Sequence, residues 1–311
     1  MTSELSEKVK ASIERLKAFC PPEGYYLAFS GGKDSVVVKR LLDMSGCKYD
    51  ATYRITSVDP PELYRFIRDQ HPDVKREYPR DKDGNVVTMW NLIPKKMYPP
   101  TRIARYCCEA LKESGGDGRM TVTGVRWAES VNRKRNHGTV TIFGKGPSLS
   151  DFRKDENFKP NPRGGVILVN DNEESRRTIE HCYRRRKISV NPIVDWEDRD
   201  VWEFIHAEDI PYCKLYEEGY HRLGCIGCPM ASRNERERGF MRWPTYKAAY
   251  LKSFDRMLTL RMERHLKDPS RPLWRTKGEA YVEATAVDVY NLWMEYDMLP
   301  GQMDILEDYD V

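Results

Sequence analysis

The stretch Tyr25-Tyr26-Leu27-Ala28-Phe29, followed at once by Ser30-Gly31-Gly32-Lys33-Asp34-Ser35 and then by Val36–Leu42, leaves few options for the fold of this chain. A short apolar strand, a glycine turn and a helix are the opening unit of an α/β sheet. Gly31 and Gly32 let the backbone curl closely around an anion, the following amides and the helix dipole face it, and Ser30, Lys33 and Ser35 add hydroxyl and ammonium donors. The ligand this implies is phosphate or pyrophosphate. Because the glycines and the lysine are compressed into six residues, the turn is not a GxxxxGK[ST] loop, and a Walker-type hydrolase is disfavoured.

The alternation continues along the chain. Asp50–Val58 reads as a strand ending at Asp59-Pro60-Pro61, Glu62 to about Gln70 as a helix, Met120–Val125 as a third strand, and Val166–Val169 and Ile188–Val190 as further short strands. Strands alternating with helices predict a doubly wound, mostly parallel sheet. Leu5, Val9, Ile13 and Leu16 predict a helix over residues 4–19, and Val201, Trp202 and Ile205 one apolar side for a helix over Asp198–His206. Residues 138–166 contain GKGP and KPNPRGG with little periodicity, which predicts a long surface loop insertion. Residues 244–266 and 279–298 carry apolar and aromatic positions at helical spacing. The expected organisation is an N-terminal helix (1–20), an α/β domain holding the phosphate turn and paired cysteines (21–232), and a helical C-terminal region (233–311).

With 40% hydrophobic and 32% charged residues among 311, the chain is neither fibrous, membrane-embedded nor wholly disordered. Its opening, MTSELSEKVKASIERLKAFC, has no uninterrupted apolar run, so neither a signal peptide nor a membrane anchor is expected, and the expected location is cytoplasmic. Eight cysteines in a reducing compartment read as metal ligands, catalytic groups or buried thiols. Cys107-Cys108 and Cys225-Ile226-Gly227-Cys228 supply two pairs, and four thiolates suit Zn²⁺ or a [4Fe–4S] cluster. Adjacent cysteines are awkward for a structural zinc site, which favours the cluster with zinc as the alternative. Cys20, Cys47 and Cys182 read as buried free thiols.

The net charge of +4 permits an anionic partner. Basic clusters at Arg133–Arg135, Arg184–Lys187 and Arg233–Arg242, the last interleaved with Phe240 and Trp243, fit a nucleic-acid surface, although each alone also fits a solvated face. Gly124-Val125-Arg126 follows a strand, and Arg126 and Arg133 could clamp phosphates or belong to a solvated basic helix. Asp34 could orient Lys33, help hold Mg²⁺, or simply complement the helix dipole.

SGGKDS after a strand resembles the PP-loop of the ATP pyrophosphatase family, whose members split ATP between the α- and β-phosphates, adenylate a substrate and release pyrophosphate. RYCCEALK and LYEEGYHRLGCIGCP are similar to the cluster motifs of adenylyl-sulfate and phosphoadenylyl-sulfate reductases, and the resemblance spans most of residues 25–230. It implies an adenine nucleotide alpha-hydrolase-like fold and ATP with Mg²⁺. It implies catalytic roles for Lys33, Asp34 and Ser35, and nucleotide contacts from Ser30, Gly31, Gly32, Asp59, Gly124, Arg126 and Arg133. Asp59 could equally cap the helix after Pro61. Cys107, Cys108, Cys225 and Cys228 become ligands of a [4Fe–4S] cluster, with Lys112 a basic residue facing cluster and nucleotide. Cys213 could replace Cys107 or carry sulfur.

The pattern departs from the reductases in two places. Their nucleophilic cysteine lies on a C-terminal segment, and here no cysteine follows Cys228. They also carry degraded versions of the loop, whereas SGGKDS is intact. The expectation is therefore an iron–sulfur ATP pyrophosphatase in sulfur transfer, similar to the enzymes that support DNA phosphorothioation, with nucleic acid and a cysteine desulfurase as partners, no membrane, and a homodimer compatible with the sequence. The alternatives are a sulfonucleotide reductase using Cys213 or another protein's thiol, a tRNA-thiolating enzyme, and a non-catalytic nucleotide or redox sensor.

Overall fold

A computed structural model describes the chain except for residues 114, 117, 145–151, 153, 163–164, 171, 173–174, 177–178, 180–186, 271–283 and 296–311. In chain order its main elements are α1 (Ser3–Ala18), β1 (Tyr25–Ala28), α2 (Lys33–Ser45), β2 (Tyr49–Arg54), α3 (Pro61–Gln70), β3 (Lys75–Glu77), α4 (Met89–Lys96), α5 (Tyr106–Cys108), β4 (Thr121–Val122), α6 (Val131–Asn136), β5 (Val140–Ile142), β6 (Phe158–Pro160), β7 (Val166–Leu168), β8 (Ile188–Val190), α7 (Asp198–Ala207), α8 (Arg233–Arg242), α9 (Pro244–Lys267) and α10 (Ala286–Glu295). No helix among the described residues is long and apolar enough to cross a membrane. The chain forms two compact units: Met1–Arg54 with Pro61–Glu77 and Gly115–Leu223, and Ile55–Pro60 with Tyr78–Ser114 and Gly224–Val311. This division interleaves the segments that the sequence reads as a domain over 21–232 and a helical region over 233–311.

The first unit is built on a sheet in the order β3-β2-β1-β4-β8-β5-β7-β6. β1 pairs in parallel with β2 and β4, β2 with β3, and β4 with β8. Its central strands are buried on both faces, which is why Tyr25, Tyr26 and Leu27 follow one another in an unbroken apolar run. Val36, Val37, Leu41 and Leu42 of α2, with Val122, Ile188 and Val190, complete the core. Chain order runs outward from β1 through β2 on one side and through β4 on the other. The carboxyl ends of β1 and β4 therefore flank the crevice where open sheets of this kind take their ligands.

α1 is fastened to the stretch after β8. Ser12 donates to the Pro192 carbonyl at 2.9 Å, Trp196 Nε1 donates to Ser12 Oγ at 3.1 Å, and Arg15 forks onto Asp195 at 2.7 Å through each terminal nitrogen. Ser12, not Ile13, occupies the fully buried position of that turn.

Several boundaries differ from the sequence reading. β2 stops at Arg54 rather than Val58, because the backbone turns at Ser57 with φ 66° and Ile55–Pro60 joins the second unit. β3, Lys-Arg-Glu, was not legible as a strand, since an edge strand guarded by charge carries no apolar pattern. The loop expected over 138–166 contains β5 and β6 among its described residues; β5 runs antiparallel to β8 and β7, and β6 antiparallel to β7. Three-residue strands are too short for alternation to register. The sheet is thus parallel over β3-β2-β1-β4-β8 and antiparallel beyond. Part of that loop, Cys182, Arg184–Arg186 and the ends of the 279–298 helix lie outside the described residues.

The second unit is helical around an aromatic centre. Phe240, Tyr250, Phe254 and Trp293 are buried, with Tyr250 and Trp293 ring centroids 4.8 Å apart. Arg236 lies over the Trp293 ring at 4.2 Å, and Trp293 Nε1 donates to the Pro100 carbonyl at 2.8 Å.

Candidate functional site

In the first unit, the chain leaving β1 turns at Gly31, whose φ of 71° is strained for any side chain and whose Cβ would lie 2.7 Å from Ile67 Cδ1. Gly32 then takes the cap position of α2, so the ammonium, carboxylate and hydroxyl of Lys33, Asp34 and Ser35 stand in the first turn of a thirteen-residue helix. Ser30 Oγ lies 3.3 Å from Ser35 Oγ, and Ser35 Oγ donates to the Gly32 carbonyl at 2.8 Å. The Lys33 amide donates to the Tyr216 hydroxyl at 2.8 Å. Tyr216 is a cradle residue that motif reasoning passed over, although it lies within LYEEGY.

Lys33 is only 6% exposed. Its ammonium is 4.0 Å from Asp34, 3.5 Å from Asp198 and 3.5 Å from the His221 carbonyl, so partial charges of opposite sign hold it in a buried position. The chain leaving β4 passes directly against α2: a Cβ on Gly124 would lie 2.9 Å from Asp34 Cβ and 3.0 Å from the Asp34 carbonyl carbon. Arg126, expected on phosphate, is 1% exposed. It donates through Nε to Asp34 at 2.7 Å, through Nη1 to the Trp196 carbonyl at 3.2 Å, and through Nη2 to Asp198 at 2.5 Å. Arg126 is thus a strut between two carboxylates, one at the start of α2 and one at the start of α7. Burial disfavours ionisation of Asp198, but the Arg126 hydrogen bond and the charge of Lys33 outweigh it and hold the carboxyl below its ordinary value.

Arg133 pairs with Glu129 at 2.8 Å. Burial lowers its guanidinium from the ordinary value and Arg222 adds to this, while Glu129 opposes both. Cys213, buried at the start of the turn Lys214–Tyr216, belongs to this first unit, and burial raises its thiol.

All four paired cysteines belong to the second unit, with Asp59 and Lys112. Cys107 and Cys108 lie on α5, which runs into a π turn over Glu109–Glu113 and so carries Lys112. The Cys107 thiol hydrogen-bonds to Cys108; this bond and burial push Cys107 up, and the same bond, supported by Arg105 and Lys112, pulls Cys108 down. Cys225 hydrogen-bonds to Thr56 at 3.7 Å and to Asp59 at 3.9 Å. Burial raises its thiol to about 11 against the pull of Lys112. The charge of Cys225 in turn raises the Lys112 ammonium, although Lys112 is exposed as a residue and solvent tempers the pairing.

The Asp59 carboxylate accepts the Thr56 amide at 3.2 Å, and its carbonyl accepts from the Tyr246 hydroxyl at 3.0 Å. The Cys225–Cys228 turn depends on Gly227, with φ 72°, whose Cβ would lie 2.7 Å from Phe240 and 3.0 Å from Trp293 and Tyr250. Ile226 is fixed at both ends of its peptide, its amide donating to Val58 at 2.7 Å and its carbonyl accepting from Tyr250 at 3.0 Å.

Phe240 and Trp243, expected among the arginines of a nucleic-acid surface, are core residues at 4% and 8% exposure. Arg236 is buried, while Arg233, Arg238 and Arg242 remain on the surface of α8.

Among the described residues no three thiol, imidazole or carboxylate groups close on one point as a single ion would require. The fit to a cluster accordingly rests on the donor set: four thiols in one unit whose charges act on one another, beside the cations Lys112 and Arg105.

The model of the phosphoadenosine phosphosulfate reductase domain family matches residues 24–231. An uncharacterised protein of Methanocaldococcus jannaschii is 26% identical over 249 residues, which are 75% of this chain and 41% of that protein. A phosphoadenosine 5'-phosphosulfate reductase of Xylella fastidiosa is 43% identical over 56 residues, 17% of this chain and 24% of that one. The chain thus spans less than half the length of these curated relatives. The structure of a phosphoadenylyl-sulfate reductase from Candida auris aligns with a TM-score of 0.39 at 14% identity, covering 72% of this chain and 96% of that one.

Proposed function

The chain belongs to the phosphoadenosine phosphosulfate reductase domain family, and from that premise we propose that it is an ATP pyrophosphatase that adenylates an acceptor for sulfur transfer. The observation that carries this reading is the cradle after β1: an intact Ser30–Ser35 turn at the crevice of the sheet, with a buried lysine at the N-terminus of a long helix.

In this reading ATP enters as its Mg²⁺ complex, and the glycine turn with Ser30 and Ser35 receives the β- and γ-phosphates. Lys33 faces the α-phosphate. An acceptor oxygen attacks the α-phosphorus, the bond from that phosphorus to the bridging oxygen breaks, and pyrophosphate leaves with both bonding electrons. Lys33 and the helix amides stabilise the charge that develops on the transferred group and the leaving oxygen. Arg126 is a positioning residue: by gripping Asp34 and Asp198 it keeps the two carboxylates that hold Lys33. The adenylated oxygen is then a good leaving group, and a sulfur nucleophile displaces AMP.

Cys107, Cys108, Cys225 and Cys228 would hold a [4Fe–4S] cluster, which when bound supplies a site for sulfide and electron transfer. Lys112 balances the negative charge of that thiolate set. The acceptor in this reading is a nucleic acid and the sulfur source a cysteine desulfurase, the former supported by the surface arginines of α8 and by Lys134 and Arg135 on α6.

The test is product analysis with ATP and with adenylyl sulfate. AMP and pyrophosphate from ATP, lost in Ser35→Ala, are expected. ADP as the nucleotide product would refute the reaction, and sulfite release from adenylyl sulfate with a thiol donor would establish the reductase instead.

A further inference from the structure

Cys20 and Cys47, expected as isolated buried thiols, are brought together in the first unit at the carboxyl ends of two helices. Cys20 follows α1 and its cap residue Phe19, and Cys47 follows Gly46, the left-handed cap of α2. Both are half-exposed free thiols. Cys47 Sγ donates to the Leu16 carbonyl at 3.6 Å, the Cys47 amide donates to Ser45 Oγ at 3.2 Å, and Cys20 Sγ lies 4.0 Å from the Pro21 carbonyl. Both line an open cavity of about 330 Å³ whose wall includes Lys17, Pro21, Ser45 and Lys48. On its outer edge Gly46 has free space where a side chain would stand. Two thiols lining one cavity, flanked by two lysines, form a site separate from the cradle and from the paired cysteines of the second unit.

We propose that Cys20 and Cys47 form a redox site at which a low-molecular-weight disulfide oxidises the pair to an intramolecular disulfide. One protein thiol, as its thiolate, attacks a sulfur of the small disulfide; that S–S bond breaks, a mixed disulfide forms and one small thiol leaves. The second protein thiol loses its proton and attacks the protein sulfur of the mixed disulfide, and the second small thiol leaves. Two electrons and two protons pass from the cysteine pair to the small disulfide, which is reduced to two thiols. The bond formed closes the segment 21–46, which contains β1, the Ser30–Ser35 turn and α2. The oxidant's state would thereby act on the segment that carries the cradle, by limiting how far its two ends can separate.

The experiment uses the full chain equilibrated with oxidised and reduced glutathione at a series of ratios. Free thiols are then alkylated, and the protein is digested without reductant and analysed by mass spectrometry. The expected product is one peptide pair linked through Cys20 and Cys47, lighter by two hydrogen atoms than the separate peptides and returned to them by dithiothreitol. Cys20→Ser should leave Cys47 as a stable glutathione adduct, since the resolving thiol is gone, and Cys47→Ser should do the same for Cys20. Separate adducts on both cysteines of the unmodified sequence, complete alkylation of both at every ratio, or a bond from either to Cys182 would overturn the proposal. None of these readouts depends on ATP cleavage.

Discussion

Removing the strut between the two carboxylates separates a positioning role for Arg126 from direct phosphate binding. The Arg126 guanidinium is 1% exposed and its partner Asp34 22%, with 2.7 Å between Nε and the carboxylate. Breaking such a pair from one side costs more than the fraction of a kcal/mol typical of surface pairs and approaches the 3–5 kcal/mol of fully buried ones. Arg126→Met, which keeps the volume, should cost about 3 kcal/mol, because it strands Asp34 while Asp198, with 66% of its side chain exposed, recovers water. Asp34→Asn retains an oxygen for Nε and should cost about 1.5 kcal/mol. The double variant should cost only about 2.5 kcal/mol, leaving a coupling of about 2 kcal/mol. Urea unfolding followed by far-ultraviolet circular dichroism measures all four corners of this cycle. Costs that add to within about 0.5 kcal/mol would refute the strut. Unchanged stability in Arg126→Met with lost ATP binding would put that guanidinium on the phosphate after all.

Two further outcomes follow from buried groups. His71 is 6% exposed, its Nε2 has no hydrogen-bond partner, and burial, assisted by Lys39, lowers it to about 4. Between about pH 6.5 and 4 the unfolded chain therefore takes up a proton that the folded chain refuses, so stability is complete above that window and falls as pH drops through it, by at most about 3 kcal/mol. Denaturation midpoints across this range should fall less steeply in His71→Leu; equal slopes would remove His71 from the acid response. Gly227→Ala introduces a methyl group at φ 72°, 2.7 Å from Phe240, and should cost about 2–3 kcal/mol in the second unit. Anaerobically purified protein should be brown with the native glycine and paler in the variant, measured by visible absorption and bound iron per chain; full iron in Gly227→Ala would show that the turn tolerates distortion.

The phosphate turn, the alternation around it and the parallel strands β1, β2, β4 and β8 were legible in the sequence because they rest on local rules: glycine at a positive φ, an apolar run for a strand buried on both faces, and helical spacing in α1, α7 and α9. The cysteine pairs were legible by residue type and spacing alone. Partners distant in sequence were not. That Arg126 meets Asp34 and Asp198, that Tyr216 takes the Lys33 amide, that Phe240 packs on Gly227 and that Trp243 is buried rather than exposed among arginines are consequences of which surfaces the folded units bury. Charge and aromaticity read the same on a surface as in a core until packing decides.

By itself the sequence determined the chemistry on offer, a phosphate cradle and an excess of thiols, because backbone conformation and donor type are properties of a few adjacent residues. Only the tertiary structure decided which charges are spent on one another and which thiols are neighbours. Cys20 and Cys47 are separated by twenty-six intervening residues, and nothing local to either indicates the other. They line one cavity because α1 and α2 pack in the same unit and end beside it.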